Sequence, residues 1–360
     1  MSRARDLADL GGSADAGGLT GRNLIINGAM TVAQRGSLTG QTGTVYTACD
    51  RFLSAEVGDT VTTSTQDTDV PSGQGFANSL KIDVTTADAS LAASDVFLVM
   101  TRLEGQDLQH LLYGTSDAKN LTLSFWVKSP KTGTHIAELF QNDATYYNSQ
   151  AYTIASANTW QKVELTFSGY TATAFDDDNG YSLGITWFLA AGSDYTSGTL
   201  SSNTWHNTQA NRAVGQVNCV DDAANNFYIT GVQLEVGETA TPFEHRSYGD
   251  ELARCQRYLK LGGAGVYGIY NSASNIEISI PFSPDMRATP TLSMAKTTVT
   301  ISNKTNSNTA DATSVSATNI SASPSGAFFA QIGNCNVTSA SSGHIAQFRT
   351  DEFLQLDAEL

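Results

Sequence analysis

The sequence predicts an all-β protein: a jelly-roll β-sandwich, then a short helical connector and a small C-terminal β-sandwich. Three observations carry that expectation. Apolar and polar residues alternate strictly over several stretches of strand length, the mark of a strand with one buried face. Ser and Thr supply roughly a fifth of the 360 residues, beside 31 glycines, while charged residues are only 15%. Hydroxyl-bearing outer faces and glycine turns suit short strands, not helices laced with ion pairs. Hydrophobic residues reach 40%, enough to fill real cores.

Taken in chain order, residues 1–22 stand apart. Ala4, Leu7 and Leu10 make one short apolar helical stripe, which Gly11, Gly12, Gly17 and Gly18 break. A segment this short does not fold alone, so it is expected to order by docking. From Asn23 the pattern turns β, with strands expected at Asn78–Thr85, Val96–Leu103, Asn120–Ser129, Trp160–Ser168, Tyr181–Ala190 and Phe227–Val236. In Asn120–Ser129, Leu121, Leu123, Phe125 and Val127 share one parity, and Thr122, Ser124, Trp126 and Lys128 the other. Val163, Leu165 and Phe167 alternate in the same way with Lys162, Glu164 and Thr166. Turns at Lys131–Gly133 and Asp178–Gly180, and a helical patch at Gly105–Leu112, punctuate the run.

A helix is predicted next. Ser247 can cap it, Asp250 and Glu251 lie in its first turn, Lys260 near its end, and Gly262-Gly263 stop it. Tyr248, Leu252, Cys255 and Leu259 form its narrow apolar stripe. Beyond it, Asn275–Phe282 alternates on Ile276, Ile278 and Ile280, and Thr297–Ser302 predicts another strand. Asn303–Gly326 reads either as a flexible loop or as thin strands covered by a partner chain. Phe348–Leu360 is an apolar terminus of the kind pinned in a sheet. The expected domains are an attachment segment, 1–22; a jelly roll, 23–244; a helical connector, 245–262; and a C-terminal β-sandwich, 263–360.

Charge and motif content exclude several functions. Twenty basic against thirty-five acidic side chains give a formal charge of −15, which disfavours phosphate neutralisation and hence nucleic-acid binding. No apolar run approaches the ~20 residues of a membrane helix, and Met1–Leu10 has no secretory apolar core. Cys49, Cys219, Cys255 and Cys335 form no CxxC or Cys/His pattern, so reduced buried thiols, no metal site and no cofactor are expected. Asp176-Asp177-Asp178-Asn179-Gly180 packs three carboxylates that a hard cation could use, but it lacks the spacing of an EF-hand loop and reads as a solvated hairpin end sooner than as a calcium site, as does Asp221-Asp222. There is no Gly-x-Ser-x-Gly, no His-Glu-x-x-His and no phosphate-binding loop, and the five histidines are scattered. A non-enzyme is expected, although an acidic chain can always hold a pair of glycosidase carboxylates.

Aromatic residues supply the candidate binding site. Trp126 lies on the polar parity of its strand, where its face can stack on a sugar ring or pack under a loop or an interface. Tyr146, Tyr147, Tyr152, Trp187, Tyr195, Trp205 and His206 make a second group, with Asn148, Gln150, Asn203 and Asn207 as amides suited to sugar hydroxyls. Core and interface packing is the other reading of that group.

Three stretches resemble bacteriophage tail-fibre and related virion appendage proteins, notably those of marine phages. They are Ser2–Leu10 followed by Asn23-Leu24-Ile25-Ile26-Asn27-Gly28-Ala29-Met30; Ile229–Gly237 with Ala240–Glu244, Arg246 and Glu251–Tyr258; and Met286–Leu292 with the closing Leu356–Leu360. Leu121–Lys128, Trp160–Ser168 and Phe227–Leu234 are similar to the strand pattern of carbohydrate-binding jelly rolls, with Thr230 and Gly231 where those modules often carry calcium-holding acids. The resemblance implies a homotrimeric tail fibre, assembled in the host cytoplasm and held to other tail or baseplate proteins through residues 1–22. Its expected role is non-catalytic attachment to a host surface glycan. The alternatives are a purely structural capsid or baseplate spike, and a depolymerase.

Overall fold

The computed structural model describes residues 21–262, 267–272, 275–281, 284–294, 299–303, 308–312, 316–322, 327–333, 342–343, 345–348 and 354–360. The chain divides into two compact units, with the boundary between Glu251 and Leu252.

The first unit contains β1 (Leu38–Gln41), β2 (Val45–Tyr46), β3 (Phe52–Val57), β4 (Val61–Asp67), β5 (Ser79–Thr86) and β6 (Val96–Glu104). They are followed by β7 (Leu121–Lys128), β8 (Gly133–Gln141), β9 (Tyr146–Ile154), β10 (Gln161–Phe167), β11 (Tyr181–Ala191), the short helix α1 (Ser193–Thr196) and β12 (Asn226–Val236). One six-stranded antiparallel sheet has the order β1-β4-β5-β12-β7-β10, and the other β2-β3-β6-β11-β8-β9. The chain changes sheet at every step from β9 to β12, the crossing pattern of a jelly roll. The six strands expected in this unit form at nearly the expected residues. The patch at Gly105–Leu112 forms two 3-10 turns, Gly105–Asp107 and Gln109–Leu111.

Alternation explains the core. Leu121, Leu123, Phe125 and Val127 are fully buried between the sheets, facing Leu183, Ile185 and Trp187 of β11. Their opposite parity departs from expectation: Thr122, Ser124 and Lys128 are buried as well. Loops lie across the outer face. Thr122 Oγ1 donates to Gly237 O at 2.8 Å, Lys128 pairs with Asp69, and Thr230 Oγ1 donates to Asn78 O at 2.7 Å. A polar residue on the outside of a central strand is thus hydrogen-bonded to a covering loop, as a buried polar group must be.

The Asn23–Met30 and Gln233–Glu251 stretches interlock as a clasp. Asn23 Oδ1 accepts the N–H groups of Ile25 and Leu234, and Asn23 Nδ2 donates to Val232 O. The Glu244 carboxylate accepts the N–H groups of Asn23 and Gly21, while Arg246 donates to the carbonyls of Asn23 and Ile25. Asn27 ties Val32 to Asp50, and its own N–H reaches Glu251. Burial opposes ionisation of Glu244, but the Asn23 and Gly21 amides and the Arg246 and Arg22 charges hold its carboxyl below the usual range. These residues are a structural fastening, which explains the motif without invoking a ligand.

The second unit takes most of α2 (Tyr248–Gln256), followed by β13 (Leu259–Gly262), β14 (Tyr267–Tyr270), β15 (Ile276–Pro281), β16 (Thr291–Met294) and β17 (Val299–Asn303). It ends with β18 (Asn308–Ala312), β19 (Ser316–Ala322), β20 (Ala327–Gly333), β21 (Ile345–Phe348) and β22 (Leu354–Asp357). These make a three-stranded sheet, β13-β22-β16, and a seven-stranded sheet, β18-β17-β21-β14-β15-β20-β19. Ser247 caps α2 as expected, its Oγ accepting the Asp250 N–H at 3.2 Å. The helix is shorter than predicted, however. Lys260 and Leu259 belong to β13, whose pairing with the C-terminal strand β22 overrides local helix propensity. Tyr248, assigned to the apolar stripe, is 61% exposed, whereas Cys255 is buried. Within Asn303–Gly326 the described residues, 303, 308–312 and 316–322, are strand, and the rest of that segment lies outside the described residues. The expectations for residues 1–20, Cys335 and Phe353 fall outside the described residues.

Candidate functional site

The predicted aromatics do not form one site. In β9, successive side chains point to opposite faces, so Tyr146 and Tyr147 part company. Tyr152 faces the core, 6% exposed, 5.3 Å from Phe125 and stacked on His135 at 5.4 Å. Trp187 has no exposed surface and packs edge-on against Phe125 at 5.6 Å. Both were candidates for a glycan-facing group with core packing as the other reading, and both are core residues because the inward parity of their strands carries them there.

Tyr147 and Tyr195 surround an ion pair instead. Arg212 lies 4.0 Å from the Tyr147 ring and 5.8 Å from that of Tyr195. It makes a two-pronged bond to Glu138, with Nη2 to Oε1 at 2.7 Å and Nε to Oε2 at 3.1 Å. Glu138 is fully buried and also accepts Ser149 Oγ at 2.9 Å. This pair pins the long β11–β12 connection over the outer face of the second sheet, closing it with Phe188 and Ile136 beneath. His206 pairs backbone-to-backbone with Tyr147 in the same closure, and burial lowers its imidazole pKa.

Trp205 meets Tyr146 through Tyr170: Tyr146–Tyr170 are 5.0 Å apart and Tyr170–Trp205 5.1 Å. The indole N–H of Trp205 donates to Ser168 O at 2.7 Å, and Asn203 Oδ1 accepts the Ser168 N–H at 2.7 Å. That cluster staples a loop to the β10 end, with its polar groups already engaged.

Trp126 is different. It lies on the outer face of the first sheet, half-buried, and its indole N–H bonds to nothing among the described residues. The register sets it opposite Thr230 on β12 and Lys162 on β10, with Trp160 one diagonal step away. Beyond Thr230, β12 bulges at Gly231, and Phe76 lies over that glycine. Phe76, Phe243 and His245 pack together at 4.9–5.4 Å. On the other side, the Lys128 ammonium lies 4.1 Å from the Tyr228 ring and 5.6 Å from that of Trp160, which donates to Asp69 at 2.9 Å. Burial opposes ionisation of Asp69, but hydrogen bonds from Lys128 and Trp160, with the Lys128 and Lys81 charges, keep its carboxyl below the usual range.

The result is an indole flanked by rings and fixed charges, with exposed Lys162 and Glu164 alongside it on β10. Such a strip offers an apolar face for C–H groups and donors and acceptors for hydroxyls. Trp160, Tyr228, Lys128 and Asp69 were missed in the sequence, although the parity of β7, β10 and β12 places the first three beside Trp126. Among the described residues no group of three or more His, Cys, Asp or Glu stands at metal-binding spacing, and no helix is long and apolar enough to cross a membrane.

No family model and no curated protein matches the chain. Solved structures with some likeness include the enzymatically active domain of bacteriophage CBA120 tailspike protein 4, at 13% identity, 60% of this chain, 21% of that chain and a TM-score of 0.33. The family 11 carbohydrate-binding module of Clostridium thermocellum Lic26A-Cel5E is 13% identical over 56% of this chain and 99% of that one, with a TM-score of 0.28. A putative sugar binding protein from Bacteroides thetaiotaomicron is 14% identical over 60% of this chain and 100% of that one, with a TM-score of 0.35. The match thus spans about a fifth of the tailspike chain. Likeness this weak assigns no function, and the architecture above stands on strand order and register alone.

Proposed function

We propose that this chain is a non-catalytic glycan-binding protein of a bacteriophage appendage, a homotrimeric tail fibre that holds a bacterial surface glycan on the strip around Trp126. The observation that carries the reading is the Trp126 indole, half-buried on the outer face of a central strand with its N–H unspent among the described residues. A side chain fixed by the strand loses little further entropy on binding, and a stacked ring tolerates many sugars. Weak single sites suffice where several copies act together, because avidity multiplies them. The phage assignment rests on the sequence resemblance alone. A glycan array probed with the whole chain and with Trp126→Ala tests the reading. Binding by the parent and at least about tenfold loss in the variant support it, whereas equal binding by both removes Trp126 from the site.

One observation favours the structural alternative, a capsid or baseplate spike. In the second unit Tyr267, Ile269 and Ile345 are 58%, 58% and 47% exposed, and Ile269 sits directly opposite Ile345 across the β14–β21 pair. An apolar sheet face of this kind suits burial against other virion components. Locating the chain in intact particles by electron microscopy separates the two: distal exposure fits attachment, burial between components fits cement.

A further inference from the structure

Three carboxylates of the first unit converge in front of one glycine. Glu56 lies near the end of β3, Gly58 begins the turn to β4, and Asp88 and Asp95 belong to the connection from β5 to β6. Gly58 has φ +139°, and a Cβ placed on it would lie 3.2 Å from Asp95 Cγ, 3.3 Å from Glu56 Oε1 and 3.4 Å from Asp88 Oδ2. The three acids therefore frame a space that the missing side chain leaves open.

Glu56 supplies the independent observation. It is only 8% exposed; its Oε2 accepts the Gly43 N–H at 3.0 Å, while its Oε1 is buried with no hydrogen-bond partner. That orphaned oxygen is the one aimed at the shared space. A buried carboxylate oxygen without a donor is costly, so such an atom points to a missing partner. Asp88 Oδ1 accepts the Ser90 N–H at 3.1 Å and Asp95 Oδ2 the Ala92 N–H at 2.6 Å, which orients both side chains and leaves each a second oxygen. None of the ion pairs among the described residues involves these three acids.

We propose that Glu56, Asp88 and Asp95 bind one calcium ion in front of Gly58, tying the β3–β4 turn to the β5–β6 connection. The donor set is all oxygen, which is calcium chemistry, and loop carbonyls and water would complete the six to eight ligands that the ion takes. Without the ion the three acids do not stand at metal-binding spacing, so binding requires the two loop aspartates to move toward Glu56. The bound state is then more stable than the free one, in proportion to calcium concentration.

The test uses the whole chain, stripped with chelator and titrated with CaCl2 at constant ionic strength, read by calorimetry and by thermal melting. One ion per chain is expected, with a rise in Tm of about 5 °C near saturation. Glu56→Gln abolishes both responses, and Asp178→Asn keeps both. If Glu56→Gln does not fold, Asp88→Asn, on a half-buried loop residue, is expected to bind at least about tenfold more weakly. The proposal is overturned if the parent shows neither heat nor a Tm shift, if NaCl gives the same shift, or if the calcium response survives in the folded Glu56 or Asp88 variant.

Discussion

Phe76 lies over Gly231: a Cβ on that glycine would come within 2.6 Å of Phe76 Cζ. Gly231 also has φ +62°, in the left-handed region, at the bulge that offsets β12 against β7. Strain and steric exclusion act in the same direction. Gly231→Ala is expected to destabilise the chain by about 1–3 kcal/mol. Denaturant unfolding of the two proteins checks this, and an unchanged midpoint would show that Phe76 swings away freely.

Trp126 and Trp205 separate binding from stability. Trp126→Ala is expected to lower glycan affinity at least about tenfold with little change in Tm. Trp205→Ala removes the bond to Ser168 O and the Tyr170 contact. It is expected to lower Tm and leave affinity nearly unchanged. Affinity and melting curves measured on both variants decide between the two surfaces.

Arg212→Met leaves Glu138 buried and without its counter-ion. The expected loss is about 3–5 kcal/mol, and Arg212→Met combined with Glu138→Gln is expected to recover part of it, because the stranded carboxyl is gone. A double-mutant cycle in urea measures the coupling.

His135 gives the fold an acid sensitivity. It is fully buried, its Nε2–H donates to Lys131 O at 3.1 Å, and burial pushes its pKa from 6.5 down to about 4. Between those values the unfolded chain binds a proton that the native chain refuses. Stability is therefore fully present above about pH 6.5 and falls as pH drops toward 4, by about 3 kcal/mol in all. Glu244 extends the loss at lower pH: its carboxyl is held below 4.5, so its contribution disappears as it protonates. The pH dependence of the urea midpoint between about pH 6.5 and 5 should become shallower in a folded His135→Gln variant, with His206, whose pKa is also lowered by burial, supplying part of what remains.

The β framework was legible because period-two alternation is local: Leu121 to Lys128 announces one buried parity in eight consecutive residues. The start of α2 was legible from Ser247 for the same reason, since a cap needs only its next turn. The aromatic patch was legible only in part. Trp187 shares the parity of Leu183 and Ile185, which already marks it as core, whereas Tyr152 is turned inward by its packing on Phe125 and His135 from other strands.

The sequence by itself determined which segments are strands and which face of each is apolar, because those depend on residues two apart. Tertiary structure decided which outer faces stay open, where α2 gives way to β13, and which carboxylates meet at Gly58. Those outcomes depend on loops that return from distant positions to cover a sheet or to stop just short of Trp126, and their closure is settled by packing between residues far apart in the chain, where no local pattern reaches.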